Sequence, residues 1–311
     1  MNARIPLPSG LPATGFTVSA ARAAKVRGHR LRAKNLAHPH WGVRLSASLN
    51  LTFFDRCRLL AAVLPAHAFF CGASAAALWG MPLPLRFDND RQPNLEIGVA
   101  HPARAIRRQN ARGRRMQISP TDVTVQRGVP LTTPARTWCD LALTLSLGEL
   151  VAAGDYLIFH EQPIVSRREL LDAVISHPGR RGRRVLRRAL ELLSEFSESP
   201  KESELRVIVV TSGLPTPQVN PEIYDEHGRF VARVDLYFPE ERAILEYQGD
   251  QHRTDIRQWR RDLTRRSELE SLGYHYAEVA ADDLENVAPL IRRIERNLRA
   301  RGWRGPAISD P

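Results

Sequence analysis

The chain has 311 residues, with 45 Lys and Arg against 34 Asp and Glu, a net charge of +11 and a pI near 10.3. That length suits two or three domains rather than one, and the charge favours phosphate partners: with lysine only at positions 25, 34 and 201, the basicity is arginine, which forks onto phosphates and base edges, although codon bias in a GC-rich genome gives the same composition. Cys57, Cys71 and Cys139 are odd in number and share no metal spacing, which implies no zinc and points to reduced thiols in a cytoplasm.

Residues 1–15, rich in Pro and Gly, read as a loose arm, and no charged start leads into an apolar segment, which argues against secretion. Helices at 17–24 and 31–36 and a strand at 41–45 give a winged-helix order. Lys25, Arg27, Arg30, Arg32 and Lys34 cluster near the second helix, as a phosphate contact or as a solvated basic face. Residues 53–64 are apolar at helical spacing, and 72–80 form a short Ala-rich helix stopped by Gly80. Residues 59–85 contain no Asp, Glu, Lys or Arg, but Pro65, His67, Gly72, Gly80, Pro82 and Pro84 interrupt them and favour a soluble core over a membrane span. A strand at 94–99, a basic loop at 103–115 with six arginines, Arg112, Arg114 and Arg115 among them, and a strand at 123–129 follow. Such loops suit a phosphate backbone, or are simply solvated.

Thr133 and Pro134 open a helix to 142, and 147–159 form another. Asp140 and Asp155 have no motif around them and read as caps or as buried partners of Arg136. Ser166 and Glu169 form a capping box for a helix at 166–175. Arg180, Arg181, Arg183 and Arg184 belong to a second arginine cluster, 179–188, placed directly before the last module.

In that module a helix runs over 199–212, where Glu202 serves either a capping box with Ser199 or a catalytic site. Residues 230–238 and 243–247 read as an antiparallel hairpin interrupted by Pro239-Glu240-Glu241. If Phe238 pairs with Ala243, Leu236 faces Leu245, Asp235 faces Glu246, and Gln248 shares the side of Glu246. Facing carboxylates repel by about 0.2–1 kcal/mol, whereas a hard divalent cation reverses the sign, Mg²⁺ being held by one or two carboxylates plus phosphate. His252 follows, with an ordinary pKa of about 6.5 that suits proton transfer, or a loop-holding role. Asp262, Arg265 and Arg266 share a helix at ion-pair spacing. A strand at 274–279 and a helix at 284–301 close the module.

The pattern D-x(10)-E-Y-Q-G-D-Q-H, then R-R-D-L-T-R-R and G-Y-H-Y, resembles the PD-(D/E)XK nuclease superfamily, most closely its very-short-patch-repair-like endonuclease branch, over about 199–303. The resemblance implies an α/β fold of αβββαβα order, a mixed sheet flanked by helices. It also implies a Mg²⁺ site (Mn²⁺ as substitute) on Asp235 and Glu246, catalytic roles for Glu202, Asp235, Glu246, Gln248 and His252, and phosphate contact or site ordering by Arg265 and Arg266. Gln248 departs from the superfamily, which most often has Lys there. The front half resembles AbiEi-type antitoxins, in the winged-helix order and in the A-A-x-L-x-G-x-P element near 75–82. The expected domains are 1–52 (arm and winged-helix-like unit), 53–195 (α+β middle domain), 196–304 (endonuclease-like domain) and a tail at 305–311. The expected function is metal-dependent DNA hydrolysis in the cytoplasm, with no membrane partner and with a toxin or other defence-system protein as a second partner. The alternative is a non-enzymatic DNA-binding regulator on a degenerate nuclease fold.

Overall fold

In a computed structural model, described over residues 6–87, 94–249 and 256–306 (backbone alone at 256–259), the chain divides into two units, Met1–Asp140 and Leu141–Pro311, each mixed α/β. In the first, β1 (Phe16–Thr17), α1 (Val18–Ala23), β2 (Leu36–Ala37) and β3 (Val43–Ser46) build a three-stranded antiparallel sheet of order β1-β3-β2. Thr17 caps α1 by accepting from Ala20 N at 3.1 Å. The second helix expected at 31–36 is instead a single 3₁₀ turn, Arg30–Arg32. The chain must extend from Ala33 to reach the β2 pairing with β3, and the buried Arg30 folds back onto Asn35 at 3.2 Å. The winged-helix order expected here therefore lacks its second helix.

Next come α2 (Phe53–Ala61), β4 (Ala68–Phe70), α3 (Gly72–Trp79), β5 (Leu95–Ala100), β6 (Arg107–Arg108), β7 (Ala111–Met116), β8 (Val123–Gln126), β9 (Val129–Thr132) and α4 (Pro134–Leu141). The strands form a mixed sheet, β6-β7-β5-β4-β9-β8. Its central strands carry Phe70, Ile97, Val99, Val129 and Leu131, which are fully buried with Cys57 and Leu60 from α2. Two expectations change. The basic loop at 103–115 contains a hairpin whose second strand, β7, pairs parallel with β5. The single strand at 123–129 is two, turning at Arg127-Gly128, where φ of +48° and +79° fit the two-residue turn that matches strand twist. The three cysteines are free and buried, and burial pushes the Cys57 and Cys139 thiols up to about 12, so they pack as small apolar groups.

The second unit comprises α5 (Leu147–Ile158), α6 (Arg167–Ser176), α7 (Arg183–Leu192), α8 (Pro200–Thr211), β10 (Gln218–Val219), β11 (Glu222–Tyr224), β12 (Phe230–Arg233), β13 (Leu236–Phe238), β14 (Ala243–Tyr247), α9 (Ile256–Ser271), β15 (His275–Val279), α10 (Ala281–Glu285) and α11 (Val287–Ala300). The Ser166–Glu169 capping box is formed. Helix α5 packs along α8, pinned by buried Asp155, which accepts from Ser194 N at 2.7 Å, Ser203 Oγ at 2.7 Å and Arg206 Nη2 at 2.5 Å. Asp140 does pair with Arg136, at 3.0 Å, but Asp155 takes Arg206 in place of Arg136.

The sheet that positions the site has order β10-β13-β14-β15. One face packs Leu236, Phe238, Leu245 and Val279 against Leu205 and Val209 of α8 and Leu290, Ile291, Ile294 and Leu298 of α11. The other sets Ile244 and Tyr276 under Leu269 of α9. Among the described residues no helix is long and apolar enough to cross a membrane.

Candidate active site

The hairpin register is the one the sequence predicts: Phe238 pairs with Ala243, Tyr237 with Ile244 and Leu236 with Leu245. The single strand expected at 230–238 breaks, however, into β12 and β13. Pro221 has no N–H to continue a ladder, and Asn220 before it sits at φ +48°, so the facing segment divides into β10 and β11. The chain opposite follows that jog at Val234-Asp235, β12 pairing with β11 and β13 with β10 and β14. Asp235 thus stands where one ladder ends and another starts, and its Oδ2 accepts from Tyr247 N at 2.8 Å.

Three carboxylates come within electrostatic reach here. Burial pushes Asp235 up to about 8, helped by the charges of Glu202 and Glu246. Burial likewise raises Glu246, against the opposing pull of Arg265 and a hydrogen bond from Tyr276. Glu202 and Glu246 are only 8% and 5% exposed. Ser199 caps α8 through Glu202 N at 3.2 Å, but the reciprocal half of a capping box is not made. The Glu202 carboxylate instead accepts from Glu198 N at 3.0 Å and Asn220 Nδ2 at 2.8 Å.

Helix α9 supplies the counter-charge. Leu269 packs on the sheet, and Arg265 one turn before it lies on the same helical face; its Nη2 donates to Glu246 Oε2 at 2.8 Å. Parallel pairing of β14 with β15 sets Tyr276 beside Ile244, and its hydroxyl donates to that same Oε2 at 2.5 Å. Glu246 Oε1 is buried and finds no hydrogen-bond partner among the described residues. Arg266 turns away from Glu246, donating to Glu270 at 3.0 Å and lying over the Tyr276 ring. Gln248 follows the end of β14, its N–H donating to Val279 O at 2.8 Å, and strand alternation puts it on the Glu246 side. His252 lies outside the described residues.

The donor set is compatible with a hard cation: two or three carboxylates, one with an unsatisfied buried oxygen, suit an ion that otherwise keeps water and phosphate ligands. Among the described residues, though, no group of three or more His, Cys, Asp or Glu is spaced to hold a metal ion by itself. Sequence reasoning quotes Tyr276 only within G-Y-H-Y, with no role, and does not point to Asn220. Tyr276 would have followed from pairing the last strand parallel to β14, and Asn220 from reading Asn-Pro as a turn that tolerates positive φ.

The remaining arginines divide by environment. In α7, Leu186, Ala189 and Leu192 are buried, while Arg180, Arg181, Arg184 and Arg187 in and before it are exposed. Arg183 turns inward to His177 O at 3.1 Å. In the first unit, Arg112 and Arg114 lie 3.8 and 3.7 Å from Glu96, whose other oxygen accepts from Ala73 N at 2.8 Å, and Arg115 is exposed.

No family model matches the chain, and no solved structure matches it significantly. It is similar to two Mycobacterium tuberculosis proteins, "Uncharacterized protein MT2308" of strain CDC 1551 / Oshkosh and "Uncharacterized protein Rv2248" of strain ATCC 25618 / H37Rv. Each is 29% identical over 244 residues, covering 76% of this chain and 83% of the relative.

Proposed function

We propose that the second unit carries a PD-(D/E)XK-like endonuclease site that hydrolyses DNA phosphodiesters with Mg²⁺ or Mn²⁺. The observation that carries this reading is that Asp235 and Glu246 stand on the two arms of one hairpin within electrostatic reach, with Glu246 buried and its Oε1 unsatisfied, in a strongly basic chain. Between α8 and α9 lie five strands, of which β10, β13 and β14 join β15 in one sheet while β11 and β12 pair separately, and that four-stranded sheet between α8, α9 and α11 supports it. Asp235 and Glu246 would hold the ion, with Glu202 beside them. When bound, the ion polarises the phosphate and makes its water a stronger nucleophile. Gln248 orients water or phosphate as a dipole, without the charge a lysine would add, so turnover is slow and depends strictly on the ion. Exposed arginines of α7 hold the backbone electrostatically.

The test is nicking of supercoiled plasmid at fixed salt, with Mg²⁺ and Mn²⁺ in turn. Glu246→Gln abolishes nicking and leaves DNA affinity unchanged, while Gln248→Lys preserves or raises the rate. Equal nicking by wild type and Glu246→Gln would refute the assignment. A second reading, a DNA-binding regulator without turnover, has one observation in its favour: Arg265 already neutralises Glu246. Tight DNA binding without cleavage by either ion would decide for it. A toxin partner, if the regulator reading holds, is sought by co-purification with the products of neighbouring genes.

A further inference from the structure

We infer that Tyr276 and Arg265 form a clamp on one oxygen of Glu246, fixing the carboxylate so that its other oxygen is reserved for the cation. The inference rests on the cation reading above, adds Tyr276 to it, and gives Arg265 one stated task within it. Both donors converge on Oε2, Tyr276 Oη at 2.5 Å and Arg265 Nη2 at 2.8 Å, and neither touches Oε1. A carboxylate free to rotate would share its donors between both oxygens and leave neither unsatisfied. Here the two donors arrive from different elements, β15 and α9. Tyr276 is itself held: it is 6% exposed within the α9 face of the sheet, and Arg266 covers its ring at 5.2 Å. Arg265 stands on α9 one turn before fully buried Leu269, and its hydrogen bond to Glu246 comes from Nη2, with its Nε buried and without a hydrogen-bond partner among the described residues. Turning Glu246 to satisfy Oε1 would break two charge-assisted hydrogen bonds at once, each worth more than a neutral one.

The consequence is a division of labour. Oε2 is neutralised within the protein, so the cation meets Glu246 through a single, pre-aimed oxygen, as outer-shell partners orient ligands at other metal centres. Tyr276 and Arg265 are positioning residues, acting on the cation through Glu246.

The experiment is titration of the full chain with Mn²⁺ by calorimetry, with the electron paramagnetic resonance spectrum of the bound ion recorded alongside, for wild type, Tyr276→Phe, Arg265→Lys and Tyr237→Phe. Tyr276→Phe keeps the ring and removes only the hydroxyl. Arg265→Lys keeps the charge and loses the planar fork, and it carries the test should Tyr276→Phe fail to fold. Tyr237 lies in the same cluster, edge-on to Tyr274 at 5.7 Å, and reports general loosening of that face. Losing one orienting partner typically weakens metal affinity by about 10–100-fold. The clamp predicts at least a tenfold loss and an altered spectrum for Tyr276→Phe and Arg265→Lys, with Tyr237→Phe unchanged. Affinities within twofold of wild type for both clamp variants overturn the clamp while leaving the cation reading intact. An equal loss in Tyr237→Phe also overturns it, by assigning the effect to packing. No Mn²⁺ binding by wild type, with or without duplex DNA, overturns the cation reading itself and the clamp with it.

Discussion

Replacing Asp235 by Asn removes the most strongly perturbed carboxyl of the site, and its effect on stability is set by pH. The native carboxyl releases its proton near pH 8 where an unfolded Asp does so near 3.8. Between those values the native chain binds more protons than the unfolded one, so stability falls as pH rises through the window and levels off above it. The gap, 8 − 3.8, is about four pH units, equivalent to at most about 6 kcal/mol at 1.36 kcal/mol each. Asp235 keeps partial solvent access, which screens this to about 2–3 kcal/mol. Asn keeps the oxygen that accepts from Tyr247 N and carries no charge at any pH. Asp235→Asn is therefore nearly neutral at pH 4.5 and stabilising by about 2–3 kcal/mol at pH 8.5, or about 4–12 °C in Tm for a unit of this size. Thermal unfolding of both proteins in chelator, at half-unit steps from pH 4.5 to 9, measures it. A Tm difference independent of pH, or a destabilised variant at pH 8.5, would refute the burial argument.

Three further outcomes follow from the same geometry. Arg206→Met leaves Asp155 buried without its cation, which costs about 3–5 kcal/mol, whereas the double variant Asp155→Leu with Arg206→Met recovers most of it; denaturant unfolding measures both. Replacing Arg180, Arg181, Arg184 and Arg187 by Gln lowers the slope of log affinity against log salt by up to about 0.9 per lost phosphate contact, read by fluorescence anisotropy on a duplex of fixed length; an unchanged slope removes α7 from the interface. Mg²⁺ at ten times its Kd raises wild-type stability by about 1.4 kcal/mol and leaves Glu246→Gln unaffected, read by thermal unfolding without chelator; an equal rise in both places the ion elsewhere.

The hairpin was legible because its two apolar runs and the Pro239-Glu240-Glu241 break allow one register that buries Leu236 and Leu245 together. Continued by one residue, that register sets Asp235 on the side of Glu246, although Asp235 itself precedes β13 and accepts from Tyr247 N. What the sequence could not show is the jog at Val234-Asp235, because it is imposed by a different segment, at Asn220-Pro221, whose pairing is not written in residues 230–238. The same limit hid the contact of Tyr276 with Glu246 and the inward turn of Glu202, which depend on partners 30 and 18 positions away. In the first unit the short helix at Gly72–Trp79 was legible from its alanines and Gly80 stop, while the arginine-rich 103–115 read as a loop because its strand β7 is paired by β5 rather than by its own apolar pattern.

The central claim is that Asp235 and Glu246 together hold the catalytic cation. Anomalous diffraction from crystals grown with Mn²⁺ and a short duplex tests it directly. The account predicts one strong peak in contact with Glu246 Oε1 and an Asp235 oxygen, absent from Glu246→Gln crystals. Ordered DNA with no peak at that position would contradict it.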